Sequence, residues 1–185
     1  MSRPGTSTQT ILRHWREAVP NDRLAHLVKD ATRALVRALQ VRLAAHKVSF
    51  GHWTFLRILW EGDGLTQREL SLEAGVMEPT TSSALKAMER LGYVRRKRGG
   101  DRKKVYVFLT PKGCRLKSRL VPLAEEVNNI AVRGTRAAGI TATRALLLAI
   151  IENLACDEQA LDKRMPSTRA LARVGTKRKR PRKRA

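Results

Sequence analysis

The sequence predicts a mainly α-helical fold that carries one short β-hairpin. Apolar residues recur at steps of three and four through most of the chain, which is the spacing of one helix face. Aromatic residues make up only 4% of the composition, and this favours helices over a β-sandwich. Strand-like runs flank a glycine turn between Tyr93 and Leu109. The 185 residues suit one compact domain or two small layers that share a core.

An arm and a long helix are predicted before residue 49. Residues 1–21 are polar and irregular, and we expect them to form a short arm that packs on a partner. Residues 22–48 have helical periodicity and predict a dimerisation helix. Its apolar positions are Leu24, Leu27, Ala31, Leu35 and Leu39. Lys29, Arg33 and Arg37 stack at steps of four on another face of this helix.

A second helix and a capping motif follow. Ser49 is suited to cap a helix that ends near Gly62. Its predicted interior positions are Phe50, Trp53, Leu56 and Trp60. Thr66 and Glu69 have the spacing of a capping box, in which each side chain satisfies the other residue's backbone N–H. The next helix is therefore expected to start at Thr66, with Leu70 facing inward.

A helix-turn-helix is predicted within residues 49–110. Gly75 lies in a turn that separates the helix starting at Thr66 from another that runs from about Pro79 to Leu91. Leu85, Met88 and Leu91 supply the buried side of this second helix. Its polar sides carry Thr80, Thr81, Ser82, Ser83 and Lys86. We expect these polar residues to meet base edges or phosphates.

The segment after this helix predicts a cationic hairpin. Gly92 suits a left-handed helix cap, and Gly99-Gly100-Asp101 forms the turn between two short strands. Basic residues surround that turn: Arg95, Arg96, Lys97, Arg98, Arg102, Lys103 and Lys104. A connecting loop without apolar side chains does not fill a core. The hairpin is therefore predicted to be a wing that contacts phosphate.

Residues 111–165 predict two further dimerisation helices. The first begins at Thr110-Pro111, is bent at Pro122 and has apolar positions at Leu116, Leu120, Leu123, Val127 and Ile130. Gly134 and Gly139 break the chain, and a last helix from about Thr141 carries Leu147, Ile150, Ile151, Leu154 and Leu161. Burial of so much apolar surface predicts a two-fold homodimer. Residues 166–185 are too charged to fold and predict a disordered basic tail.

Composition restricts the function. A net charge of +22 is typical of a protein that binds a polyanion. The sequence lacks a phosphate-cradling glycine loop, a nucleophile motif and a metal-ligand cluster, so neither an enzyme nor a metal or cofactor site is predicted. No apolar run approaches the roughly 20 residues that span a bilayer, and the N-terminus has no apolar signal core. We expect a cytoplasmic, nucleoid-associated protein with no membrane contact, in which Cys114 and Cys156 are free thiols.

Over residues 24–163 the chain resembles the MarR family of winged-helix transcriptional regulators. The similarity is strongest at LTQRELSLEAGV, PTTSSALKAMERLGYVRR and DRKKVYVFLTPKG, which occur in the family's order and spacing. The resemblance implies a homodimer that represses transcription from double-stranded DNA, with interlocked first and last helices. It also implies release from a palindromic operator by a small aromatic compound, with the wing alongside the minor groove.

Carried onto this sequence, the motifs give two sets of candidate residues. The DNA-binding set is Thr66, Gln67, Thr80, Thr81, Ser82, Ser83, Lys86, Arg90, Arg96, Arg98, Arg102, Lys103 and Lys104. The effector-binding set is Lys29, Arg33, Arg37, His52, Trp53 and Leu56. The family's effector pocket implies the last three, whereas the basic stripe suits the phosphates of an aromatic acyl-coenzyme A thioester. The effector is thus expected to be an aromatic acid or its thioester, from a catabolic pathway.

Three positions depart from the family pattern. Met77 stands where a polar residue commonly caps the recognition helix, and Ser83 stands where a long basic reader is common. In the wing, the usual Asp-x-Arg is Asp101-Arg102-Lys103, and lysine lacks the forked donor geometry of arginine. Direct readout is therefore expected to depend on Thr80, Ser82 and Ser83, with Lys86 on phosphate.

Two alternatives remain open on the sequence. The high charge and the basic tail also suit a sequence-blind architectural DNA-binding protein, since counterion release strengthens binding without reading sequence. Cys114, near a helix start beside Lys112 and Arg115, suits a redox-responsive regulator, because such surroundings favour the thiolate.

Overall fold

The computed structural model describes residues 7–17, 24–99 and 104–160, which form a mainly helical structure with one small sheet. The chain divides into two units, residues 1–133 and 134–185. The elements are α1 (Ser7–Glu17), α2 (Leu24–Ala44), α3 (Phe50–Glu61), β1 (Leu65–Thr66), α4 (Gln67–Glu73), α5 (Glu78–Arg90), β2 (Val94–Arg98), β3 (Val105–Leu109), α6 (Pro111–Ala131) and α7 (Ala137–Ala160).

Helix α1 corrects the prediction of an irregular N-terminal arm. Ile11 and Trp15 are half-buried, and their spacing of four puts them on one face of a helix. The indole Nε1 of Trp15 donates a 3.1 Å hydrogen bond to the carboxylate of Asp30 on α2. This contact stabilises the short helix against its neighbour. Residues 1–6 and 18–21 of the predicted arm lie outside the described residues.

The core of the first unit is centred on α3. Ser49 caps this helix, since its side chain accepts from the backbone N–H of His52, and Gly62 closes it, as predicted. The buried residues of α3 are Trp53, Phe55, Leu56, Ile58 and Leu59. The rings of Trp53 and Trp60 lie edge to face, with centroids 5.6 Å apart. Phe50 and Trp60 are half-buried at the margin of this core.

Helix α2 packs on the core near its C-terminal end, and helix α6 packs on it along most of its length. In α2 the buried residues are Leu39 and Leu43, whereas Leu24, Leu27 and Leu35 are 46%, 45% and 39% exposed. Helix α6 continues through Pro122 and buries Gly113, Leu116, Leu120 and Val127. Ile130, predicted to be buried, is 41% exposed. Arg42 on α2 donates a 2.9 Å hydrogen bond to Glu126 on α6, which joins the two helices.

The wing belongs to a three-stranded sheet, where the sequence predicted only two strands. Strand β3 lies in the centre of the order β1-β3-β2, and both pairings are antiparallel. Strand β1 is two residues long and pairs Leu65 with Val107 and Thr66 with Tyr106. So short a strand has no detectable sequence period. It ties the start of α4 to the wing.

Helix α7 makes up the described part of the second unit. It starts at Ala137, so Gly139 lies within the helix instead of breaking the chain before Thr141 as predicted. No described side chain of α7 is buried, and the consecutive residues Leu146, Leu147 and Leu148 are 51%, 38% and 52% exposed. Apolar side chains therefore surround this helix. Leu161 and the predicted tail lie outside the described residues.

By length and composition alone, α7 could cross a membrane over Ala137–Gln159. The segment contains no long uninterrupted apolar run, because Arg144 and Glu152 divide it. One such helix is weak evidence of a membrane span.

Candidate nucleic-acid interface

The start of α4 is fixed by the predicted capping box. The Thr66 hydroxyl accepts a 3.2 Å hydrogen bond from the backbone N–H of Glu69. In return, the Glu69 carboxylate accepts from the Thr66 backbone N–H and hydroxyl, both at 2.7 Å. The hydrogen bonds from the Thr66 backbone and side chain, with the charge of Lys104, lower the pKa of Glu69. Thr66, a predicted DNA contact, thus already serves as a helix cap.

The turn between α4 and α5 has the geometry that its glycine predicts. Gly75 has φ of +62°, a left-handed conformation that glycine adopts without steric cost. The Gly75 N–H donates to the carbonyl of Leu72, and the Val76 N–H donates to that of Ser71, both at 3.1 Å. These two bonds satisfy carbonyls at the end of α4 and direct the chain into α5.

Helix α5 presents a polar face to solvent. It begins after Met77, whose side chain makes no capping hydrogen bond, and has Pro79 in its first turn. The missing polar cap noted in the sequence is thus left without a substitute. Among the predicted contacts on α5, the exposed ones are Thr80, Ser83, Lys86 and Arg90, and Ser82 is half-buried. The Ser83 hydroxyl donates to the Pro79 carbonyl at 3.0 Å.

Thr81 is a wrong prediction. The residue is completely buried, so it has no surface with which to contact DNA. It lies four residues before Leu85 and seven before Met88, which places all three on the buried face of α5. Its hydroxyl oxygen lies 2.8 Å from that of Ser71 on α4. Leu91, predicted to be buried, is instead 37% exposed at the C-cap of α5.

Both faces of strand β2 in the wing carry cationic side chains. Arg95 and Lys97 of β2 project over the ring of Phe108 on β3, at 5.7 Å and 5.9 Å from its centroid. Arg96 and Arg98 alternate with them, because successive strand residues point to opposite faces. Arg98 is exposed. Cationic groups therefore occupy both faces of strand β2.

Arg96 connects the wing to the recognition helix. Its Nε and Nη2 atoms donate to Oε2 of Glu89 on α5, at 2.9 Å and 2.6 Å. The backbone N–H of Arg96 donates to Oε1 of the same carboxylate at 3.1 Å. These hydrogen bonds lower the pKa of Glu89. The Arg96 guanidinium, a predicted DNA contact, is thus paired with Glu89, a residue that sequence reasoning missed.

The wing tip is described only at its base. The Gly99 N–H donates to the Lys104 carbonyl at 3.0 Å, and Lys104 is exposed. Of the predicted contacts at the tip, Arg102 and Lys103 lie outside the described residues. The exposed predicted cations that the structure describes near this surface are Lys86, Arg90, Arg98 and Lys104. Gln67 is half-buried in the first turn of α4.

The end of α5 is held against the start of α6. The Lys112 ammonium donates a 2.8 Å hydrogen bond to the carbonyl of Leu91 and lies 5.2 Å from the centroid of the Tyr93 ring. The Thr110 hydroxyl lies 2.6 Å from the Gly92 carbonyl oxygen. At Gly113, an added Cβ atom would lie 2.1 Å from the carbonyl oxygen of Tyr93. Only glycine permits this approach.

The predicted effector residues fall into three environments. Lys29, Arg33 and Arg37 are all exposed on α2. Trp53 and Leu56 are buried in the core, with 6% and 0% exposure. His52 is half-buried, and its Nδ1 atom lacks a hydrogen-bond partner among the described residues. Burial lowers the pKa of the His52 imidazole.

Both cysteines are free, as predicted, and both are exposed. Within the described residues, no group of three His, Cys, Asp or Glu side chains is arranged to hold a metal ion.

Comparison with known proteins matches this architecture to one family. The sequence model of the MarR family matches residues 46–104. The chain is similar to the HTH-type transcriptional regulator TtmR of Methylorubrum extorquens, with 32% identity over 149 residues, which is 80% of this chain and 72% of that protein. It is also similar to the homoprotocatechuate degradative operon repressor of Escherichia coli, with 29% identity over 107 residues, 57% of this chain and 72% of that protein.

A similar solved structure is that of a MarR family transcriptional regulator from Listeria monocytogenes in complex with 26mer DNA. It matches with a TM-score of 0.67 and 23% identity over 79% of this chain and 100% of that one. At this identity the likeness shows the fold alone. That fold is a winged helix-turn-helix.

Proposed function

The chain belongs to the MarR family of transcriptional regulators, as its motifs predicted, and we propose that it is a sequence-specific repressor that binds a palindromic operator as a homodimer. The similar proteins are transcriptional regulators rather than enzymes. The observation that carries the proposal is the exposed face of α5, where Thr80, Ser83, Lys86 and Arg90 lie together beside a cationic wing.

On DNA, α5 is proposed to enter the major groove. Hydroxyl and short polar groups at Thr80, Ser82 and Ser83 would then meet base edges near the start of the helix. Lys86 and Arg90 lie further along, where a recognition helix approaches the phosphates. Arg98 and Lys104 at the base of the wing, with Arg102 and Lys103 at its tip, are proposed to contact the backbone beside the minor groove.

A second copy of the chain is the proposed partner of the exposed apolar helices. In α2, Leu24, Leu27 and Leu35 are each at least 39% exposed, and apolar side chains surround α7. Exposed apolar helix faces of this kind are typical of protein–protein interfaces. A two-fold axis would place two recognition helices roughly one turn of DNA apart. We place this dimer in the cytoplasm, with the chromosome.

The proposed effector is an aromatic acid or its coenzyme A thioester. Support comes from the exposed cations Lys29, Arg33 and Arg37, which suit an anionic ligand, and from the unpaired Nδ1 atom of His52. Support also comes from one relative, the homoprotocatechuate degradative operon repressor of Escherichia coli. Binding at α2 and α3 would favour a different spacing of the two recognition helices and release DNA.

Fluorescence anisotropy tests the effector, with the protein bound to the DNA upstream of its own gene. The complex is titrated with cinnamic acid and, in parallel, with cinnamoyl-coenzyme A. Release by the thioester alone assigns the basic stripe to the ligand's phosphates. Charge reversal at Arg33 and Arg37 should then weaken release and leave DNA affinity unchanged. Loss of both to the same degree would contradict this role, and failure of both ligands would remove the effector proposal.

A sequence-blind architectural role is the second candidate, favoured by the net charge of +22. Selection of duplexes from a random-sequence library by the full chain separates the two. A repressor enriches one palindromic sequence, whereas an architectural protein enriches none. Enrichment of a single half-site without symmetry would contradict the homodimer and leave specific binding in place.

A further inference from the structure

Two buried hydroxyl groups join the helices of the helix-turn-helix. Ser71 on α4 is 4% exposed and Thr81 on α5 is 0% exposed, and their oxygens lie 2.8 Å apart. Among the described buried residues these two are the polar ones, and the others are hydrophobic or aromatic. A buried polar group costs stability unless it is hydrogen-bonded, so this contact is obligatory once both residues are inside.

The number of hydroxyl protons limits the hydrogen bonds that Ser71 and Thr81 can make. Each hydroxyl has one proton to donate. The Ser71 oxygen also lies 3.0 Å from the Gln67 carbonyl, whereas the Thr81 oxygen lies 3.4 Å from the Met77 carbonyl. The two hydroxyls share one hydrogen bond, and the second proton is donated to the Gln67 or the Met77 carbonyl. Either arrangement links α4 to the buried face of α5.

The apolar contacts between the same helices are non-directional. Leu70, Leu85 and Met88 are completely buried, and their packing specifies no donor–acceptor geometry. A hydrogen bond weakens steeply when its distance or angle changes. Thr81 lies between Thr80 and Ser82, both proposed to meet base edges. A rotation of α5 about its axis would therefore move these neighbours directly.

We propose that Ser71 and Thr81 are positioning residues that set the rotation of the recognition helix, and thereby the sequence specificity of the protein. The inference rests on the proposed function, since it presupposes that α5 reads base edges. It adds two residues that cannot touch DNA to those that determine which operator is bound. The same pair explains why a threonine, and not a leucine, occupies an otherwise apolar face.

The test compares two substitutions at one position. Thr81→Val keeps the shape of the side chain and removes the hydroxyl, whereas Thr81→Ser keeps the hydroxyl and removes a methyl group. The full-length variants are titrated with the duplex that the wild-type protein selects from a random library and with a scrambled duplex of equal length. Urea denaturation of each variant gives its stability.

If the hydroxyl positions α5, Thr81→Val loses about tenfold affinity for the selected duplex and keeps its affinity for the scrambled one, as expected when base contacts are misaligned. Thr81→Ser keeps its discrimination, even where it is the less stable variant. Ser71→Ala reproduces the loss, and combining it with Thr81→Val adds nothing further, because both remove one bond.

The inference would be overturned if the loss of discrimination between the two duplexes parallels the loss of stability, with Thr81→Ser as impaired as Thr81→Val. The pair would then have a purely structural role. Unchanged discrimination in Thr81→Val would also overturn it. A wild-type protein that selects no sequence is a different failure, since it removes the proposed function itself.

Discussion

The guanidinium of Arg96 and the carboxylate of Glu89 join the wing to the recognition helix through two side-chain hydrogen bonds, at 2.9 Å and 2.6 Å. A third bond, from the Arg96 backbone, reaches the other oxygen of the same carboxylate. Glu89 and Arg96 are seven residues apart and lie on different elements, with the Gly92 turn between them. The wing and α5 are therefore held in one relative orientation.

This pair should show measurable coupling. Substitution of Arg96 by Met, of Glu89 by Gln, and of both, forms a double-mutant cycle in the free energy of unfolding. We expect a coupling energy of about 1 kcal/mol, because charge-assisted bonds are strong but Glu89 is partly exposed. The control is Arg57 with Glu61, which are 3.9 Å apart and exposed. Their coupling should be below about 0.5 kcal/mol, and equal coupling in the two cycles would contradict the assignment.

Acid should weaken the fold through the same carboxylate. Hydrogen bonds from Arg96 lower the pKa of Glu89 from its ordinary value of 4.5. A group with a depressed folded-state pKa contributes stability above its unfolded pKa and loses that contribution as the pH falls through the folded value. Urea denaturation from about pH 6 to pH 3 should therefore show wild type and Glu89→Gln converging in stability. A constant difference across this range would show that Glu89 titrates normally in the folded protein.

Two glycines should respond in opposite directions to alanine. At Gly113 the new Cβ would lie 2.1 Å from the Tyr93 carbonyl oxygen, so the backbone must move. We expect Gly113→Ala to cost about 3 kcal/mol or more of unfolding free energy. At Gly51, inside α3, nothing lies within 4 Å of the added atom, and alanine should stabilise by up to about 1 kcal/mol. Thermal denaturation compares them, and similar effects at both positions would disprove the close approach.

Each wing cation that contacts phosphate should contribute to the salt dependence of DNA binding. Arg98→Gln and Lys104→Gln are each expected to reduce the slope of log K against log salt by about 0.9, on specific and random DNA alike. Arg57→Gln, on the exposed side of α3, is the charge-matched control and should leave the slope unchanged. If all three variants lower the slope equally, the effect reflects net charge and not contact.

Local motifs explain why much of this lobe was predictable. The capping box at Thr66 and the left-handed Gly75 and Gly92 depend on residues within one turn of each other, so their spacing in the sequence fixes their geometry. The presence of strands β2 and β3 was also predictable from local composition. For the same reason the exposed set on α5 was mostly foreseen.

Contacts between distant residues explain the errors. Thr81 was assigned to a polar face because of its side chain, yet its partner Ser71 lies ten residues away on another helix. The short α1 depends on a hydrogen bond from Trp15 to Asp30, and the pairing of Arg96 with Glu89 depends on how the wing folds back. No sequence period reveals these partners, although the spacing of Thr81 from Leu85 and Met88 already indicates the buried face of α5.

A competition experiment tests the central claim most directly. The wild-type protein is bound to the duplex that it selects from a random library, at physiological salt, and challenged with scrambled duplex. Specific recognition by α5 predicts an affinity ratio of about a thousandfold or more between the two duplexes. It also predicts that Thr80→Ala lowers this ratio without changing affinity for the scrambled duplex. A wild-type ratio near one would contradict the account, because the protein would then bind DNA through charge alone.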